Sequence, residues 1–200
     1  LHVTVPPYSK TEKVMATLET FRERLLEQYR KVEIRPIDFS YAIRTACFRL
    51  WLEPSPLKCF TLKQTGEGIC ICRPADVDFS CEQVQKLVRA AILRALKKSA
   101  GSYLPPLLEA LAERYGFSYR KVKITGARSR WGSCSAAGTI SLSCYLMLLP
   151  PHLMDYVLLH ELSHTKEMNH GPRFWELLDS LTEGKALSLR AELRNYRPAF

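Results

Sequence analysis

The chain has 200 residues, long enough to bury a substantial core as one large domain or two small ones. Hydrophobic residues make up 46% and charged residues 24%, the balance of a globular protein. No apolar run approaches the roughly 20 residues of a membrane span, so no membrane is expected as a partner. The 29 basic residues against 20 acidic give a formal net charge of +9, which favours acidic surfaces as partners without naming one.

The opening, LHVTVPPYSK, hints at a short strand ending at Pro6-Pro7. It has neither the basic head nor the long apolar stretch of a secretory signal, and it starts without Met, so further residues are expected upstream. Val14, Leu18, Phe21, Leu25 and Tyr29 then recur at spacings of three and four, which predicts an amphipathic helix over 10–31. Two apolar runs, 41–52 and 57–64, separated by Pro54 and Pro56, read as strands. TGEG at 65–68 turns the second run back into ICICR as a hairpin.

A boundary is expected near PADVDFS, dividing an N-terminal α+β unit, 1–78, from a second unit, 79–200. Ser80 with Gln83 three residues on forms a capping-box pattern ahead of a helix at about 81–99. SYLPPLLEALAERYGF predicts a second helix, with proline in its first turn and Gly116 near its end. Residues 121–125 and 139–148 read as strands around a loop, GARSRWGSCSAAG. Pro150-Pro151 open a further helix. The expected fold class is α+β, a small N-terminal strand and helix unit packed on a catalytic domain built around that last helix.

Seven scattered cysteines, an odd count, do not form a disulfide framework and suggest a reducing, cytoplasmic setting. Cys70 and Cys72, two apart, would share one face of a strand and read as small apolar residues rather than metal ligands.

The chemistry concentrates in HELSHTKEMNH, 160–170, which holds three of the five histidines. On a helix at about 100° per residue, His160 and His164 lie about 40° apart, one turn removed, with Glu161 at the edge of the same face. Two imidazoles so placed can bind one tetrahedral metal ion, and the glutamate can reach a water on it without being a ligand. Val157, Leu158, Leu159 and Leu162 would surround the pair with apolar side chains. For a third ligand the preferred residue is His170, because Gly171-Pro172 would stop the helix and let the chain turn back over the metal. Glu176, Glu183 and Glu192 are the alternatives. The spacing from His164 to His170 equals the metzincin spacing, yet Glu167 stands where that pattern has glycine, and no methionine follows Met168 to make a Met-turn.

The stretch 128–178 resembles the YgjP-like family of metal-dependent hydrolases. The shared features are the loop from Arg130 to Ser135, Pro150, the segment Tyr156 to His164, and a later histidine, His170, followed by Phe174 and Trp175. The resemblance implies a zincin-like catalytic domain with His160, His164 and His170 as ligands of zinc or another divalent transition metal, and Glu161 as catalytic base. More distantly, the stretch is similar to SprT-like and WLM metalloproteases, which act on DNA–protein crosslinks. Members of the family carry either a metallopeptidase or a nucleotide-pyrophosphatase label.

The expected function is therefore a zinc hydrolase, in first place a peptidase acting on a peptide or protein. The alternatives are a nucleoside-triphosphate pyrophosphohydrolase and a nucleic-acid-associated, crosslink-type protease. A module with a purely structural metal is disfavoured, because a closed site needs four protein ligands and three strong ones are visible. Arg130 and Tyr145 are candidates to hold a substrate anion or an oxyanion. Cys134 lacks the histidine partner of a thiol-protease signature. Phe174 and Trp175 read as core, and His152 as a surface residue of a first helical turn. The 114–130 stretch is basic with Tyr115, Phe117 and Tyr119 interleaved, a pattern of single-stranded nucleic-acid binding, for which a solvated strand edge over buried aromatics is the preferred reading. Nothing in the sequence decides the oligomeric state.

Overall fold

The computed structural model describes residues 8, 10–31 and 36–197, with the backbone alone at 25 and 27–31. The chain separates into two units, 1–35 and 36–200. Among its described residues the first carries one helix, α1 (Thr11–Lys31), over the span that the three-and-four spacing predicts. The strand expected before Pro6-Pro7 lies outside the described residues.

The second unit begins with a four-stranded sheet of β1 (Ala42–Arg44), β2 (Arg49–Ser55), β3 (Thr61–Gln64) and β4 (Ile69–Pro74), in the order β1-β2-β4-β3. The run 41–52, expected as one strand, is broken by a turn. Thr45 N–H donates to the Phe48 carbonyl at 2.8 Å and Phe48 N–H to the Thr45 hydroxyl at 3.0 Å, so the run becomes a hairpin. Pro54, expected to end a strand, lies within β2. β1 pairs with β2 only at residues 49–51, so on that side proline has no ladder bond to lose. The hairpin at TGEG forms as expected, with Thr65 N–H donating to Gly68 O at 2.9 Å. At Gly68 a Cβ would stand 2.5 Å from Arg49 O, so only glycine fits. Cys70 and Cys72 oppose Trp51 and Glu53 on β2, on one face of the sheet. Burial first, and then Glu53, push the Cys70 thiol up to about 12, which leaves it inert.

The two helices expected over 81–116 are one, α2 (Glu82–Tyr115), with Pro105 and Pro106 inside it. A proline in a helix interior costs about 3 kcal/mol. Against that, Val88, Ile92, Ala95, Leu96, Ala100, Leu104 and Leu108 make an unbroken stripe with no exposure, and it runs straight across the proline pair. Burying a single large side chain contributes about 1.5–3 kcal/mol, so the continuous stripe outweighs the break. The capping box does not form. Cys81 is the N-cap without a side-chain bond, and the Ser80 hydroxyl donates to Asp78 at 2.7 Å instead. Gly116 closes the helix as expected, in the left-handed conformation. The Gln85 amide donates to Ile37 O at 2.6 Å and accepts from Ile37 N–H at 2.9 Å, fastening the chain entry to α2.

A three-stranded sheet follows, β5 (Lys121–Thr125), β6 (Gly132–Cys134) and β7 (Thr139–Ser143), in the order β5-β7-β6. β6 lies inside the segment expected to be all loop. The strand expected over 139–148 stops at Ser143, whose hydroxyl accepts from Tyr145 N–H and starts a 3-10 turn, Cys144–Leu148. Helices α3 (Pro151–Ser163), α4 (Pro172–Leu181) and α5 (Ala186–Leu193) complete the α+β fold. One apolar cluster takes in Leu50 and Ile71 of the first sheet, Leu96 of α2, Leu142 of β7, Leu158 of α3 and Phe174 of α4. The strands of 42–74 thus share their core with the helices after residue 80. Among the described residues no helix is long and apolar enough to cross a membrane.

Candidate metal centre

Helix α3 is buried along most of its length, with Leu153, Met154, Val157, Leu158 and Leu162 at 3% exposure or less. That packing fixes the rotation of the helix and hence the direction of His160. The helix ends sooner than the sequence suggests: Ser163 is its last residue and His164 caps it. The His164 ring is set by the turn that follows. Its Nδ1 lies 3.1 Å from the Glu167 carbonyl, which can only accept, so Nδ1 carries the proton and Nε2 is left as a free electron-pair donor. Gly171-Pro172, expected to stop the helix, instead starts α4, with Gly171 as N-cap and proline in the first turn. His170 stands immediately before that start.

The nitrogen atoms of His160, His164 and His170 lie within 4.8 Å of one another. His160 Nε2 and His170 Nε2 are 3.1 Å apart. Two nitrogens on one tetrahedral zinc ion would stand about 3.3 Å apart. Burial, reinforced by His164, His170 and Arg190, holds His160 down to about 3, and burial and His164 lower His170 in the same sense. Both rings are therefore neutral near pH 7, the protonation state a metal requires of them. The donor set and spacing fit a divalent metal ion.

Phe174, with no exposure, touches all three rings. Its centroid is 4.9 Å from His160, 4.6 Å from His164 in a stacked arrangement, and 4.7 Å from His170. The expected core role holds for Phe174, and the core it belongs to is the floor of the histidine cluster. Trp175 packs against Phe174 and His170, and the Arg190 guanidinium lies 5.0 Å over its ring. The three glutamates weighed as alternative ligands are elsewhere. Glu192 accepts from His152 at 2.8 Å, Glu183 pairs with Lys185 at 2.8 Å, and Glu176 is exposed.

Glu161 is 4% exposed, and its Oε2 is buried with no hydrogen-bond partner. Burial pushes its carboxyl up to about 7, against the pull of Arg130. Its other side rests on β6, where a Cβ on Gly132 would meet Glu161 Oε1 at 2.6 Å and its Cγ at 2.7 Å. Gly132 was legible in RWGSCS only as a glycine; its partner was not. Arg130 is exposed and close enough to act on the Glu161 carboxyl. Tyr145 is buried in the 3-10 turn, where burial raises its phenol and Arg128 opposes the shift. Burial and Glu161 together raise the Cys134 thiol, the opposite of what a nucleophile needs.

In the basic stretch, Lys121 and Lys123 point to solvent from β5, an edge strand. Phe117 is 8% exposed, with the Lys166 ammonium 4.3 Å over its ring. Tyr115 and Tyr119 pack half-buried on the core. The interleaved aromatics are thus largely occupied by the fold.

Three imidazoles converge on one point, beside a buried glutamate with one unpartnered oxygen, a grouping that could hold a metal ion. The family model of the YgjP-like metallopeptidase domain matches residues 1–196, and the chain belongs to that family. That membership implies a divalent metal. No curated protein matches the sequence. Among solved structures, the metallopeptidase zymogen of Pyrococcus abyssi abylysin is 26% identical with a TM-score of 0.41, covering 45% of this chain and 90% of that one. The metallopeptidase zymogen of Methanocaldococcus jannaschii jannalysin is 20% identical with a TM-score of 0.40, covering 45% and 92%.

Proposed function

We propose that this chain is a zinc-dependent peptidase in which His160, His164 and His170 hold the metal and Glu161 is the general base. The observation that carries the reading is the convergence of the three imidazoles within 4.8 Å beside a carboxylate with an unpartnered oxygen. Three imidazole nitrogens with a fourth position open suit zinc in a catalytic rather than a structural role. A bound zinc ion supplies Lewis acidity, which polarises a scissile carbonyl and makes a water acidic near neutral pH.

The remaining work falls to the chain. Glu161, ionised, takes a proton from the attacking water at Oε2 and returns it to the departing amine. Its burial keeps its proton affinity near neutrality, where both transfers are feasible. The apolar surround of α3 limits the water that could compete for that proton. Arg130, close enough to act on the Glu161 carboxyl, holds a substrate carboxylate or the developing oxyanion. Tyr145 is the second candidate for that hydrogen bond.

The test is a pair of measurements on purified protein. Glu161→Gln should keep its zinc by elemental analysis and lose about 100- to 10,000-fold in peptide cleavage. His160→Ala and His164→Ala should lose the zinc. Near wild-type turnover in Glu161→Gln would refute the base assignment. Cleavage of a nucleoside triphosphate, with no cleavage of peptides, would replace the peptidase by the pyrophosphohydrolase.

A further inference from the structure

Beside His164 a groove of about 400 Å³ runs toward the turn between β6 and β7. Its walls include Tyr119, Arg120, Ser135, Gly138, Thr165 and Met168. The volume is at the lower end of ordinary ligand sites, room for one or two amino-acid side chains. Arg120 is anchored there by its backbone, whose N–H donates to Gly138 O at 2.8 Å, while its side chain is exposed. No carboxylate lines the groove, and among the described residues no acidic side chain pairs with Arg120. Glu109, which acts on the Tyr119 phenol, and the half-buried Glu167 lie outside the lining. Seven of the ten lining residues fall in the 114–154 stretch, which contains no Asp or Glu.

We infer that this groove is a specificity pocket that receives an acidic side chain of the substrate next to the scissile bond, with Arg120 as its anion-binding residue. The inference rests on the peptidase reading. His164 is one of the residues lining the groove, so a peptide laid across the histidine cluster brings a neighbouring side chain to it. An arginine fork matches a carboxylate with two parallel hydrogen bonds, which favours Glu or Asp over a neutral residue of similar size. The walls otherwise offer small residues, Tyr119 and the half-exposed Met168, which accept the aliphatic stem of a glutamate. A basic side chain there would meet like charge with no compensating carboxylate.

The experiment uses the zinc-loaded chain and a set of internally quenched alanine-rich peptides. The set carries a single Glu, Ala or Lys at successive positions around the cleaved bond. At one position, Glu should raise kcat/KM over Ala by about 5- to 10-fold, and Lys should lower it, as expected for a partly exposed arginine–carboxylate pair. The gain should appear mainly in KM, because the contact is made before the reaction as well as during it. It should shrink at roughly 0.5 M salt. Arg120→Glu should reverse the ranking of Glu and Lys. Lys63→Glu, the same charge change on β3, should leave the ranking as it is. Glu161→Gln protein, which binds without cleaving, should rank fluorescent forms of the same peptides in the same order by anisotropy. Cleavage without a charge preference, or a preference that survives Arg120→Glu, overturns the inference and leaves the peptidase standing. Ranked binding with no cleavage of any peptide by the wild-type chain sinks the peptidase and keeps the groove. Absence of both cleavage and ranked binding overturns the two together.

Discussion

Gly132 lies so close to Glu161 that any side chain on it would collide with the carboxylate, a Cβ standing 2.6 Å from Oε1 and 2.8 Å from Cδ. The edge strand β6 therefore acts as the wall that holds the proposed base in place. Gly132→Ala should displace the carboxylate by a fraction of an ångström to an ångström. Misplacement on that scale costs about 100-fold in rate. The expected outcome is a protein with full zinc content and peptide cleavage reduced about 100-fold. Wild-type turnover in this variant would show that Glu161 does not depend on the β6 wall.

Phe174 is in contact with all three imidazoles and has no exposure, so under the proposed reading it should bear on metal affinity as well as on stability. Phe174→Ala should cost about 3–5 kcal/mol in urea denaturation of the metal-free protein. Phe174→Leu refills most of the space but leaves the three rings without a flat wall. Loss of a group that orients ligands costs about 10- to 100-fold in metal affinity. Phe174→Leu should thus fold and bind zinc at least ten-fold more weakly, measured by competition with a chelator. Unchanged affinity in that variant would reduce Phe174 to ordinary core.

What could be read in the sequence, and what could not, divides by range along the chain. The histidine cluster was legible because its spacing is local: four residues along one helix and six more to a turn. The α1 span and the β3–β4 hairpin were legible for the same reason. The continuity of α2 across Pro105-Pro106 was not, because what sustains it is burial against distant elements. Nor was β6, whose three residues become a strand only by pairing with β7. The Gly132–Glu161 contact joins that strand to α3 and has no local signature. The parallel pairing of β2 with β4 is likewise a tertiary choice. Gly171-Pro172 starts a helix where the sequence suggests a stop, because proline at the first position of a helix and proline just past its end look alike in a sequence.

With Phe117 in the core, Lys121 and Lys123 offer nucleic acid a charged strand edge and no row of stacking rings. Any binding of a single-stranded oligonucleotide should therefore be weak and electrostatic. Its log affinity should fall with log salt at a slope of about −0.7 per phosphate contacted. Lys121→Glu with Lys123→Glu should abolish it and leave zinc content unchanged. Binding that persists at high salt would contradict this and bring the crosslink-type protease forward.

The acidity of Glu161 and His160 makes a prediction about the metal-free protein. Burial raises Glu161 from 4.5 to about 7. A carboxyl that holds its proton more tightly when folded contributes stability that is complete below about pH 4.5 and lost as the pH rises through about 7. Burial and the neighbouring histidines lower His160 from 6.5 to about 3. Its contribution has the opposite sign, complete above about pH 6.5 and lost as the pH falls through about 3. His170 shifts in the same direction as His160. Between about pH 4.5 and 6.5 the slopes oppose, so Glu161 offsets part of what the histidines lose there as the pH falls. Glu161→Gln removes one of them. At pH 8 the variant should be more stable than wild type by about 3 kcal/mol, because no ionised carboxylate has to stay buried. Its stability should then fall more steeply than that of the wild type between pH 6.5 and pH 5. Urea denaturation of chelator-treated protein at pH 5, 6.5 and 8 measures both effects. A variant that follows the wild-type pH profile would mean that Glu161 is ionised and solvated in the folded chain, and that its burial against Gly132 does not set its proton affinity.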